Sequence, residues 1–388
     1  SSDVCSSDLL KEAYEAANPN VTIEMVDLGS TDYMTVLATE LSGSGSDFDV
    51  VTIKDVPGYA TLVQKNTLES LDDYITDAGI NLADFNGITD QVTVDGSLYE
   101  LPFRSDYWLI YYNKDVFDAA GIAYPSNDMT MEDYDALARQ LTDTTYGSQV
   151  YGCHYHTWRS AVELFGILDG KHSILDGNYD WMIPYYDMIL SEEDDGVCQT
   201  YTDLSTEGLH YSAAFSNGNV AMMNMGSWFI STLISNLDSG EYDSSLCGNW
   251  GIASYPHPDG AEAGSTIATI TGLAVTSASA NKDAAFDFVN WVSGTEGAKV
   301  MASTGNFPAI MTDDVINTIA GMAGFPTDEG SKEALNITNA YLEVPYAENV
   351  SEINSILDTY HTSIMNREVT VEEGVASMNE QVGKILNQ

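Results

Sequence analysis

Asp49–Ile53 (DVVTI) is a short apolar run rich in β-branched residues, the pattern of a strand covered on both faces. Upstream, Val21–Leu28 (VTIEMVDL) alternates with period two and reads as another strand. Between them Gly29-Ser30-Thr31 caps a predicted helix, Asp32–Leu41, which stops at Gly43 in a Ser/Gly linker. Strand, helix, strand at this spacing is a βαβ unit, and such crossovers are almost always right-handed. The chain is therefore predicted to be α/β. Ligands of open parallel sheets bind beyond the carboxyl ends of the strands. Here those ends are Gly29-Ser30 and Lys54-Asp55. Asp55 is a candidate for a ligand contact, and it serves almost as well as the cap of a helix from Val56 onwards.

The alternation continues downstream. A short helix over Lys11–Ala17 ends at Asn18-Pro19-Asn20 before the first strand. Leu98–Asn113 (LYELPFRSDYWLIYYN) sets Arg104, Asp106, Tyr107 and Trp108 just ahead of an apolar strand, Leu109–Tyr112. Helices are predicted over Lys114–Ala120 and Thr130–Leu141, the second opened by a Thr130/Asp133 pair that resembles a capping box. Val150–Tyr155 begins a strand, followed by a helix from Arg159 to Leu168. Asn219–Met225 (NVAMMNM) is a strand ending in Gly226-Ser227-Trp228, where a helix, Phe229–Leu237, begins. Gly251–Tyr255 and Ile267–Val275 read as strands, Asp283–Ser293 and Thr295–Thr304 as amphipathic helices, and the chain from Val315 as mainly helical.

At 388 residues the chain exceeds what one core usually serves, so two domains or two hinged lobes are expected. Lys and Arg number 13 against 59 Asp and Glu, a formal net charge of −46 that repels nucleic acid and anionic membranes. A hydrophobic fraction of 44% still supplies enough apolar side chains for real cores. No apolar run is long enough to span a bilayer. The opening SSDVCSSDL echoes Ser1-Ser2-Asp3 in Ser6-Ser7-Asp8 and lacks the basic and apolar segments of a signal peptide. Ser1–Leu9, with Cys5, reads as a non-native join and is set aside from the fold. Cys153, Cys198 and Cys247 remain: one pair bridging in an oxidising compartment and buried free thiols are both open, and spacing does not choose among the pairings.

Large aromatics stand at predicted loop edges: Tyr107, Trp108, Trp158, Trp228 and Tyr346, with Asp55 and Asp106 as acidic companions. Flat rings stack on the C–H faces of pyranoses, and carboxylates accept hydrogen bonds from hydroxyl pairs. Carbohydrate is the ligand class that best explains aromatics plus carboxylates with few cations. Taken singly, each ring is better explained by core packing than by a ligand, and Trp250 and Trp291, inside periodic segments, are assigned to the core. His154 and His156 alternate on a strand, but no further metal ligand stands at useful spacing. Glu192-Glu193-Asp194-Asp195 reads as a solvated acidic turn without a calcium-loop pattern. There is no G-x-S-x-G, no phosphate loop and no H-E-x-x-H. No cofactor and no metal are expected.

Several segments together resemble one family: FDVVTIKDVPGYATLVQKNTLESLD, DGSLYELPFRSDYWLIYYNKDVFDAAGI, SNGNVAMMNMGSWF, NWGIASYPHPDG and ITGLAVTSASANKDAAFDFVNWVSGTEGAKVM. In this order and spacing, from about Glu12 to Asn387, the chain is similar to the extracytoplasmic solute-binding proteins of ABC sugar importers, the family that includes maltose-binding protein. The resemblance implies a two-lobed periplasmic-binding-protein-like fold of type II, each lobe a mainly parallel sheet flanked by helices, with a hinge between. Lobe one would take residues 10–109 plus 267–307, and lobe two 110–266 plus 308–388. Family site positions fall on Asp55, Asp106 with Tyr107 and Trp108, the segment around Trp158, Trp228, Thr271-Gly272 and the region of Tyr346. At the front the chain departs from the family, whose members begin with an additional strand and a ligand-contacting loop.

The function so implied is capture of a carbohydrate, an oligosaccharide above all, in the interlobe cleft and delivery to the transmembrane permease subunits, without chemistry. The protein would be a monomer, extracytoplasmic, lipid-anchored or periplasmic, with no nucleic-acid partner. Two rivals remain open. A secreted glycoside hydrolase also needs carboxylates and tryptophans, its acid and nucleophile or base roughly 5–9.5 Å apart. A solute-binding protein for a cation such as a polyamine would use the acidic groups as counter-charges.

Overall fold

A computed structural model describes residues 2–29, 32–43, 48–145 and 149–387, with side chains from residue 7 onward. The chain divides into two compact units: Ser1–Asp106 with Ala268–Met322 and Val344–Ser351, and Tyr107–Ile267 with Ala323–Glu343 and Glu352–Gln388. Seven strands are assigned among the described residues: β1 (Val50–Ile53), β2 (Leu101–Asn113), β3 (Tyr151–His154), β4 (Val220–Gly226), β5 (Trp250–Ala253), β6 (Ser265–Val275) and β7 (Asn339–Leu342). β2 and β6 are continuous through the unit boundaries at Asp106/Tyr107 and Ile267/Ala268.

In the first unit β1 pairs antiparallel with β6, from Val50 against Val275 to Ile53 against Gly272. The helix Val56–Gln64 follows β1 and buries Tyr59, Ala60 and Leu62. The helices Ser2–Ala17, Lys282–Ser293 and Thr295–Ser303 pack on one another. Tyr14 sets its ring edge-on to Phe288 at 5.0 Å and to Trp291 at 5.4 Å. Trp291 is half-buried rather than fully interior. The first helix also corrects an expectation: it starts at Ser2, not Lys11, so the segment set aside as a join is helical and runs unbroken into a turn whose Leu10 and Tyr14 are buried.

Two further expectations are overturned here. Val21–Leu28 forms no strand, and Val21, Met25 and Val26 are 36%, 47% and 57% exposed. Alternation supplies propensity, but a strand exists only where a neighbour takes its backbone hydrogen bonds. β1 gives its ladder to β6 instead, so the βαβ unit is not formed. Ser30 and Thr31, expected to cap the next helix, lie outside the described residues; Tyr33–Ser42 is helical behind Asp32, which adopts φ 52° and makes no side-chain cap. Nor are the sheets mainly parallel. β1–β6, β2–β4 and β2–β5 are antiparallel and β3–β4 is parallel. A run of buried apolar residues reports coverage on both faces and carries no information about strand direction.

The second unit holds a sheet in the order β3-β4-β2-β5. Every residue of β4 is buried, as its VAMMNM sequence requires. Tyr111 of β2 packs on Phe215, Phe229 and Trp250, which places Trp250 in the core. The helix Met131–Leu141 opens with a complete capping box between Thr130 and Asp133. Glu192 and Glu193 are not a solvated turn. They lie in the last turn of the helix Ile183–Asp194, Glu192 at 0% exposure, while Asp194 and Asp195 remain open to solvent.

Candidate ligand-binding site

Each candidate residue is placed by a simple local device. At the end of β1, Asp55 adopts an extended backbone and its Oδ1 accepts the Gly58 N–H at 2.7 Å, so the carboxylate caps the helix that follows. Gly272, opposite Ile53 on β6, is required by packing: a Cβ there would collide with Oε2 of Glu100. Glu100 is fully buried, and burial, helped by the nearby Asp55 charge, pushes its pKa up to about 8. Thr271, beside Gly272, is half-buried. Asp106 is 6% exposed and forms an ion pair with Arg104 at 2.7 Å. Tyr346 is half-buried, its ring edge-on to Tyr59 with centroids 6.0 Å apart.

The aromatic candidates of the second unit come together. Trp108 on β2 lies 5.6 Å from Trp228 and 6.4 Å from Trp158, with both partners nearly perpendicular to it. Trp158 and Trp228 are 6.2 Å apart. The register explains the approach: Trp108 pairs with Gly226 across β2–β4, and a Cβ at Gly226 would strike the Trp228 ring. Trp108 is 2% exposed and forms the back of the cluster, whereas Trp158 is 39% exposed and Trp228 half-buried. Tyr107 is wholly buried, its carbonyl accepting the Ser227 N–H at 2.8 Å.

Three residues not anticipated in this role complete the wall. His156 stands 4.6 Å from Trp158 and 5.4 Å from Tyr211. His210 lies over Tyr211 at 4.0 Å. The Tyr211 hydroxyl accepts the Trp228 indole N–H at 3.1 Å. Burial, then the neighbouring His210, lowers the His156 pKa to about 4, and burial also lowers His210. Behind Trp158 the chain is pinned by Arg159, which is 5% exposed, pairs with Glu163 at 2.6 Å and donates to the Asn354 carbonyl at 3.0 Å. No motif marks Tyr211 in the sequence. His154, buried with its pKa lowered to about 3 by burial, is not part of the wall. Among the described residues, the group whose geometry fits a metal is Cys153, Glu192 and Cys198, and neither histidine belongs to it.

The wall offers indole faces for apolar C–H surfaces, with neutral imidazole and phenol groups beside them for hydroxyls. The family model described as bacterial extracellular solute-binding protein matches residues 7–299. The chain belongs to the bacterial extracellular solute-binding proteins. A crystal structure of a sugar transporter from Rhizobium etli in an open conformation is 48% identical, covers 96% of this chain and 94% of its own, and superposes with a TM-score of 0.91. A mannitol-binding protein of Pseudomonas aeruginosa is 23% identical over 308 residues, 77% of this chain and 68% of the relative. A lactose-binding protein of Rhizobium radiobacter is 25% identical over 304 residues, 73% of this chain and 66% of the relative. The resemblance read from the sequence is thus borne out, as is the type II α/β fold class. No described helix is long and apolar enough to cross a membrane.

Proposed function

We propose that this solute-binding protein is the substrate-binding component of an ABC importer that captures a carbohydrate, an oligosaccharide above all, and passes it unaltered to a membrane permease. The observation that carries the reading is the wall of Trp108, Trp158 and Trp228 with Tyr211 and His156 at its edge. Ring stacking contributes about 0.5–1.5 kcal/mol per aromatic beyond area burial. Hydrogen bonds to charged groups add about 1.5–3 kcal/mol each. Stacking on Trp158 and Trp228 with two or three such bonds reaches roughly the −8 kcal/mol of a micromolar ligand before ordering costs.

The names of the relatives, mannitol-binding, lactose-binding and sugar transporter, support the same ligand class. The two compact units are proposed as the family's two lobes, with Asp55, Asp106, Thr271, Gly272 and Tyr346 as further ligand-binding positions. The protein acts as a monomer, lipid-anchored or periplasmic, and is not an enzyme. Titration calorimetry against oligosaccharides and against spermidine tests the ligand class, and product analysis after incubation tests for hydrolysis. Micromolar sugar binding with the sugar recovered intact is expected. Spermidine binding without sugar binding, or cleaved product, overturns the reading. Trp228→Ala is expected to weaken sugar binding at least tenfold, about 1.4 kcal/mol.

A further inference from the structure

Cys153, Cys198 and Cys247 are free, buried thiols in this structure. Cys153 and Cys198 face one another: their sulfurs and a Glu192 carboxyl oxygen all lie within 4.8 Å of each other. The main chain makes the approach, because the Cys153 N–H on β3 donates to the Val197 carbonyl at 3.4 Å. Cys247 stands apart, its thiol turned onto the Asp243 carbonyl at 3.7 Å at the short helix Ser244–Cys247. We infer that Cys153 and Cys198 form a disulfide when the chain folds in an oxidising compartment, tying β3 to the segment after the helix Ile183–Asp194.

A disulfide holds its sulfurs at about 2.05 Å, a distance that rotamer changes at the two cysteines would have to close. Two S–H bonds break and one S–S bond forms, while a low-molecular-weight or protein disulfide accepts the two electrons and two protons as a pair of thiols. Both cysteines are at most 3% exposed, so exchange occurs before this core closes, and the finished bond is then shielded from reductants. Burial and the thiol–thiol contact raise Cys153, and Cys198 is raised on balance as well, so neither is a ready thiolate in the folded chain. Membership of an extracellular family fits this compartment. The same three groups have the spacing of a sulfur–oxygen ligand set. The bridge is favoured because a metal would have to displace three protons in a dry interior, and among the described residues no fourth His, Cys, Asp or Glu joins the group.

The test is to refold the full chain with oxidised glutathione, denature it, and count and map its thiols. Two titratable thiols of four are expected, at Cys5 and Cys247, with an intact mass two hydrogens lower and a linked peptide pair containing Cys153 and Cys198. Cys247→Ser should keep the mass loss, and Cys153→Ser should abolish it. Reductant should lower the thermal midpoint of the oxidised chain and leave that of Cys153→Ala/Cys198→Ala unchanged. Should the variants not fold, the peptide map of the unaltered chain decides. Four free thiols after oxidation, a linkage through Cys247, or bound metal released together with two thiols each overturns the bridge.

Discussion

The two units bring different materials to their candidate residues. In the second unit the side chains are rings, three indoles with a phenol and two imidazoles, one of the indoles 39% exposed. In the first unit they include two carboxylates that are already engaged, Asp55 by the Gly58 N–H and Asp106 by Arg104, with Glu100 buried beneath Gly272. The contrast separates surface that is spare from charge that is used structurally. Carboxylates bound to their own scaffold add less to ligand affinity than their number suggests, whereas a partly solvated indole has contact area to give.

The sharpest break of this comparison lies inside the wall itself. Trp108→Ala is expected to cost about 3–5 kcal/mol of stability, since it empties a filled interior position. Trp158→Ala should leave the thermal midpoint nearly in place and weaken sugar binding by about 1.4 kcal/mol or more. Equal losses of midpoint in the two variants would show that the wall is core throughout.

Next in size is the response to pH. Glu100 has its pKa raised to about 8, so the stability it lends is full below the ordinary carboxyl range near 4.3 and is lost as pH rises towards 8. His154 and His156, lowered to about 3 and about 4, work in the other direction. Their contribution is full above the ordinary value near 6.5 and is lost as pH falls towards 4. Glu100→Gln should flatten part of the alkaline arm of the midpoint-against-pH curve, with Glu192 and Glu343, raised chiefly by burial to about 8 and about 7, retaining the remainder. His156→Gln should flatten part of the acid arm, with the buried His154 and His361, each lowered to about 3, retaining the rest. If either substitution moves the opposite arm, the assignment of charges is wrong.

The smallest effect is expected at Asp55. Asp55→Ala removes a helix cap worth about 1 kcal/mol and should speed hydrogen exchange at the start of Val56–Gln64. An accompanying loss of sugar affinity would show that the exposed carboxylate has a second use, and would narrow the difference between the units.

Much of this was legible in the sequence. Period and caps placed the helices Met131–Leu141 and Trp228–Ser239 and the strand Val220–Gly226 within one or two residues. The strand-to-helix edge Gly226-Ser227 pointed to Trp228, while Trp108 and Trp158 were legible as large aromatics at the predicted ends of strands. Pairing was not legible. Val21–Leu28 and Val220–Gly226 are both strand-like, yet only the second finds neighbours on both sides, and neighbours are a property of the whole chain. Glu100, His156, His210 and Tyr211 were missed as site residues for the same reason: residues far apart in sequence surround each of them. Glu192 was misread because an acidic run shows its charge and hides which face of the helix carries it.

The grouping of Trp108, Trp158 and Trp228 gives the protein an intrinsic optical reporter. Indole emission depends on local polarity, and rings about 6 Å apart exchange excitation readily, so the light from this trio registers its most solvated member. If the proposed guest covers Trp158, that colour is expected to shift toward the blue while sealed Trp108 stays constant. A blue shift on adding sugar would then report occupancy in dilute solution without any attached dye.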